Sequence, residues 1–361
     1  MKRRILIALI ALGAAAACNK KNGYGSNPTP PLQGNFQQTN LVSDINGNMA
    51  AKVDTTLLNP WGLAINPTAG IVWLGTNHNG TTNVYDYNGN TKLQPIPIPS
   101  GGAPDGGSPT GVVFNATADF VIPSVQVAAK FIFVGEDGTV SAWAPGASAA
   151  AAVTVADQSS ADAVYKGCAI ANDGGNNFLY AANFKGRKID VFDKGFVPVT
   201  GRSFTDPAIP ADFGPFNIAN INGLLYVTYA RLKAPDNEDD QAGAGNGYVD
   251  IYSPDGKLVK NFISKGALNS PWGIARTPDG FGLPFHSIVV GNFGDGWINV
   301  YDSTGVYLGP MQNNSTPVVI NGLWALDFPI NEDSHADPTK LLFTAGPAEE
   351  QHGLYGFLKK Q

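Results

Sequence analysis

The sequence predicts an all-β fold, a six-bladed β-propeller occupying residues 36–361. Three observations carry that expectation. The composition is that of many short strands joined by tight turns: 43 Gly and 26 Pro in 361 residues, with only 14% charged. A three-strand pattern recurs at a spacing of about 50 residues, the range of propeller blades. In five of its six copies the third strand runs into a glycine turn, where a tight hairpin into a fourth strand needs positive φ.

Residues 1–17 read as a signal peptide. Lys2, Arg3 and Arg4 form a positive start, and Ile5 to Leu12 with the following alanines form a short apolar run. Ala15-Ala16-Ala17-Cys18 resembles a bacterial lipobox, with Ala15 where Leu is usual, so Cys18 is the expected lipidation site and mature N-terminus. An ordinary secretory signal cut at a nearby A-x-A site is the alternative. Either way the chain is expected outside the cytoplasm, touching the membrane only through its N-terminal anchor. Residues 18–35, rich in Asn, Gly, Pro and Lys, have little to bury and read as a flexible tether.

The six copies begin at Pro60-Trp61-Gly62, Pro109-Thr110-Gly111, Lys166-Gly167-Cys168, Pro215-Phe216-Asn217, Pro271-Trp272-Gly273 and Leu323-Trp324-Ala325. Each continues into a second apolar strand, such as Ile71 to Thr76 or Ile288 to Asn292. A third strand then alternates to an aromatic, as in Asn83-Val84-Tyr85-Asp86. The glycine turns follow at Gly89, Gly146, Gly195, Gly256 and Gly305, each leading to an outer strand. The sixth copy ends at Gln361 with no room for one. Phe36 to Asp44, which belongs to no other blade, is the expected closing strand beside Leu354 to Leu358.

At Asn59-Pro60-Trp61-Gly62-Leu63-Ala64, Gly245-Asn246-Gly247-Tyr248 and His352-Gly353-Leu354-Tyr355, the chain resembles a family of uncharacterised secreted bacterial proteins first noted in genomes with PEP-CTERM sorting signals. The resemblance covers nearly all of the mature chain and implies no particular activity. There is no PEP-CTERM tail, and Cys18 would take its place as anchor. More loosely the blades are similar to NHL-type and SMP-30-like propellers, which include binding modules and metal-dependent hydrolases.

A ligand site is expected where the second-to-third-strand turns share one face with the inter-blade connections, at the channel mouth. Asn77, His78, Glu136, Asn183, Asn292, Glu349 and His352 are its candidate residues. Repeated Asn at strand ends is also what local turn bonding would select. In the fourth blade Asp236, Glu238, Asp239 and Asp240 form an acidic loop, either solvated or a site for Ca²⁺, which takes six to eight oxygens. His78 and His352 with Glu349 or Glu136 are candidates for another divalent metal such as Zn²⁺ or Mn²⁺; His286 and His335 fall on the opposite face. Trp61 and Trp272 occupy equivalent repeat positions and read as core, and Cys168 as a buried, inert thiol.

A formal charge of −6 with no basic stretch argues against nucleic acid, and no interior run is long and apolar enough to span a membrane. No nucleophile elbow, phosphate loop or dinucleotide fingerprint is present. Two functional readings remain open. One is a binding module that presents the channel mouth to a small molecule, glycan or protein. The other is a divalent-metal-dependent hydrolase or lactonase at the same mouth.

Overall fold

A computed structural model describes residues 34–146, 149–329 and 336–361. The signal peptide, Cys18, nearly all of the tether and His335 lie outside those residues. The described chain is all-β, with helix confined to three short 3₁₀ turns at Asn46–Asn48, Asn77–Asn79 and Ser159–Ala161.

Six sheets form the blades. Blade 1 runs from its inner strand outward as Pro60–Asn66, Ile71–Thr76, Thr81–Asp86 and Thr91–Pro97. Blades 2 to 5 repeat the order, with inner strands Pro109–Phe114, Tyr165–Asp173, Phe213–Ile221 and Pro271–Arg276. Each is a plain antiparallel meander. Blade 6 holds Leu323–Asp327, Leu341–Ala345 and Leu354–Lys360. Its fourth strand is Phe36–Ser43, antiparallel to the chain's last strand from Phe36 opposite Lys360 to Ser43 opposite Leu354. Lys52–Val53 adds a short parallel strand beyond it. The Gly-rich segment after blade 1 is a linker that carries its own hairpin, Pro99–Ser100 with Ala103–Gly106.

The repeated Asp at the end of a third strand explains the hairpins. Asp86, Asp193 and Asp302 each accept two backbone N–H bonds from the turn that follows, at 2.8–2.9 Å. These bonds close the turn through its own residues alone. Gly89, Gly146, Gly256 and Gly305 take positive φ there. In blade 3 the left-handed residue, three after Asp193 as in the other Asp turns, is Phe196, because Gly195 falls one residue early; burial of the Phe196 ring offsets the strained backbone.

Blades pack face to face through buried aliphatic and aromatic side chains. Near the axis the inner strands crowd, which fixes the glycine of the repeat. A Cβ on Gly111 would lie 2.7 Å from the backbone nitrogen of Cys168 in the next blade, and one on Gly273 would meet the Trp324 carbonyl.

Candidate functional site

The second-to-third-strand turns and the inter-blade linkers do share one face. The carbonyls of Gly80, Gly138 and Gly296, in such turns, accept the amides of Ile98, Gln158 and Ile320 in the adjoining linkers at 2.8–2.9 Å. On this face, however, the channel is closed. The residue that precedes the repeat glycine, or Asn217 and Ala325 in its place, is Trp61, Thr110, Lys166, Phe216, Trp272 or Trp324 in the six blades, and their shared register sets them at one level of the ring. Trp61 stacks on Trp324 with centroids 3.6 Å apart, and Trp272 packs edge-on to both. Phe293 stacks on the other side of Trp324 at 3.9 Å, and Phe216 meets Trp324 from the fourth blade. The Trp61–Trp272 and Phe216–Trp324 contacts join non-adjacent blades, so the aromatic cluster spans the axis as a plug.

Lys166 completes it. Its side chain is 1% exposed, with Nζ 5.0 Å from the Trp61 ring centre and 6.0 Å from that of Phe184. The ammonium donates to Glu136 and lies 3.9 Å from Asp239. A buried ammonium needs such partners, and the aromatic faces beneath it add to their attraction. Around this ion pair the mouth is cross-linked. Asn77 donates to Glu136 at 2.9 Å, Asn59 donates to Glu350 at 2.7 Å, and the Trp324 indole donates to Asn59 at 3.1 Å. Burial holds the Glu350 and Asp240 carboxyls above the ordinary carboxylate range.

The expected site residues therefore separate. Asn77 and Glu136 meet at the mouth. Glu349 is exposed, and its neighbour Glu350 faces the axis instead. His78 is exposed. His352 belongs to ring closure: its Nδ1 lies 2.7 Å from Asp44, at the end of the closing strand. Asn183 and Asn292 are buried and bond their own surroundings: Asn183 bonds Gly186 and Asp190, while Asn292 bonds the Ala267 carbonyl and Asp295. The acidic loop does not gather round one centre. Glu238 pairs with Lys185 at 2.8 Å, Asp239 faces Lys166, and Asp236 is exposed. The lysines draw the carboxylates apart, and among the described residues no group of three or more His, Cys, Asp or Glu could hold a metal ion.

The opposite end of the channel is open. A cavity of about 740 Å³ runs from the plug to the ends of the inner strands, walled by all six blades. At its middle level stand Ala64, Val113, Ala169, Ala219, Ala275 and Asp327; one level outward stand Ile65, Phe114, Ile170, Asn220, Arg276 and Phe328. Asp327 and Arg276 thus replace small or apolar residues of the repeat on adjacent blades. Burial pushes the Asp327 carboxyl up to about 7, against a single backbone N–H donor from Phe328 at 2.8 Å. Trp272 lines the inner end, and its indole N–H is buried without an acceptor among the described residues. Cys168 also lines the wall, and burial pushes its thiol up. Sequence reading missed Asp327, Arg276 and Lys166, although each was visible as the one ionisable residue at its repeat position.

No family model matches the chain. Proteins of Acanthamoeba polyphaga mimivirus do, two of them over most of the chain. Uncharacterized protein R648 is 37% identical over 322 residues, spanning 87% of this chain and 78% of its own. Uncharacterized protein L690 is 34% identical over 332 residues, spanning 89% and 84%. The chain belongs to their family. Among solved structures, the family's fold resembles a protein of unknown function from Bacteroides thetaiotaomicron VPI-5482. That match has a TM-score of 0.55 and 13% identity, over 91% of this chain and 76% of that one. A streptogramin B lyase matches at 0.50 and 12%, over 90% and 97%. A glucose dehydrogenase matches at 0.50 and 12%, over 84% and 96%. At these identities the likeness establishes the six-bladed propeller and nothing about activity.

Proposed function

We propose that this chain is a lipid-anchored, extracytoplasmic binding module that takes a small molecule into the blind end of its channel. One observation carries the reading: a cavity of about 740 Å³, walled by six blades and stopped at one end by the aromatic plug. That volume falls in the range of small-molecule sites, roughly 300–1,000 Å³, and its wall combines Ala, Val and Ile side chains with polar groups. The ion pairs at the other mouth support the choice of end, since Glu136 and Asp239 are already committed to Lys166.

The anchor rests on the N-terminal sequence, with three basic residues, an apolar run and small residues before Cys18. It accords with the resemblance to secreted bacterial proteins from PEP-CTERM genomes, and it would set the tether directly before the closing strand. Replacing Cys18→Ser should move the protein from the membrane fraction to the soluble one; unchanged partitioning rejects the anchor.

Binding is tested by thermal shift of the mature protein against a small-molecule library. Ligands that raise the melting temperature of the wild type should lose their effect in Ile170→Trp, which fills the cavity at its outer level. Shifts that survive this variant would move the site elsewhere.

A further inference from the structure

We propose that the cavity selects an amphipathic organic anion, its charged head at Arg276 and its apolar body directed inward. This deepens the binding reading above and rests on it. The repeat itself marks the position. At Arg276's level the other blades carry Ile, Phe, Ile, Asn and Phe, so one guanidinium stands alone on an otherwise uncharged ring. Arg276 is half-buried and within electrostatic reach of Tyr226 in blade 4, and among the described residues its guanidinium has no hydrogen-bond or ion-pair partner. Arginine offers five donors in a fixed planar fork, suited to a carboxylate, sulfonate or phosphate group.

One further residue of the wall is ionisable. Asp327, one level inward on the adjacent blade, has its carboxyl pushed up to about 7 by burial, so its negative charge opposes an anion less than an ordinary aspartate would. Between these groups the wall is largely Ala, Val and Ile, which favours an apolar body.

A matched pair of dyes tests the class. 1-Anilinonaphthalene-8-sulfonate and N-phenyl-1-naphthylamine share one aromatic body and differ by the sulfonate. With the mature protein, the sulfonate dye should bind at least about tenfold more tightly than the neutral one. Arg276→Gln should bring the two affinities together by weakening only the anion. Equal affinities in the wild type, or an unchanged ratio in Arg276→Gln, overturn the anion class while leaving the cavity as a site. Ile170→Trp should abolish binding of both dyes, and Asn220→Trp, at the exposed rim, serves the same purpose should the first variant fail to fold. Neither dye binding to the wild type, or both still binding the filled variants, overturns the cavity reading itself.

Discussion

Deleting the closing strand should remove most or all of the propeller's folding free energy. Phe36–Ser43 supplies the fourth strand of blade 6 and buries Phe36, Leu41 and Val42, which are at most 7% exposed. Each such side chain contributes about 1.5–3 kcal/mol by burial, so the three amount to roughly 5–9 kcal/mol. Removal also exposes the edge of Leu354–Lys360 and strands the Ser43 and Asp44 bonds to Gly353. Against a total of about 5–15 kcal/mol for a typical domain, that is most or all of the folding free energy. The assay is urea unfolding followed by tryptophan fluorescence, which reads the Trp61–Trp324 stack between blades 1 and 6. A protein starting at Gly34 should unfold as the mature chain does. One starting at Ile45 should be insoluble or unfold without cooperativity, and Phe36→Ala alone should cost about 3–5 kcal/mol. Equal midpoints for the two truncations would refute the role given to this strand.

Two other predictions concern buried charge. Lys166→Met should destabilise by about 2–3 kcal/mol, below the usual cost of stranding a buried charge because Glu136 is partly exposed. Adding Glu136→Gln should recover part of the loss; a purely additive double variant in denaturant unfolding would show that the pair is uncoupled. Asp250, 1% exposed in blade 4, has its carboxyl pushed up to about 7, chiefly by burial, with Asp206 close by. The folded state therefore holds a proton that the unfolded state releases near pH 4, and stability should fall as pH rises from about 4 through about 7. The full shift sets an upper limit of about 4 kcal/mol. Asp250→Asn should flatten the profile, and an unchanged slope in calorimetric melts would assign it to other groups.

The fold was legible because a propeller repeats one local solution. The spacing of Pro-Trp-Gly, the aliphatic second strands and the Asp-turn hairpins each state the same unit, and short-range chemistry alone fixes them. The orphan strand Phe36 to Asp44 was legible by subtraction, since the sixth copy lacks an outer partner. The open end of the channel was not legible. It depends on Trp61, Phe216, Trp272 and Trp324 converging from separate repeats, a sum over blades that no local pattern expresses. The same limit explains the acidic loop: Asp236 to Asp240 look alike in sequence, and only the fold sends Glu238 to Lys185 and Asp239 to Lys166. Glu349 and Glu350 differ for a local reason, as successive left-handed residues at this turn point the pair in different directions. Lys166, Arg276 and Asp327 stand out only once the copies are aligned position by position, as the places where the repeat departs from its own rule.

The central claim is that ligands enter at the end opposite the titratable loops. A crystal structure of the mature protein soaked with 1-anilinonaphthalene-8-sulfonate tests it most directly. The account predicts density for the dye inside the ring of inner strands, its sulfonate at Arg276 and its rings toward Trp272. Density at the Glu136–Lys166 mouth, with the channel holding only water, would contradict it.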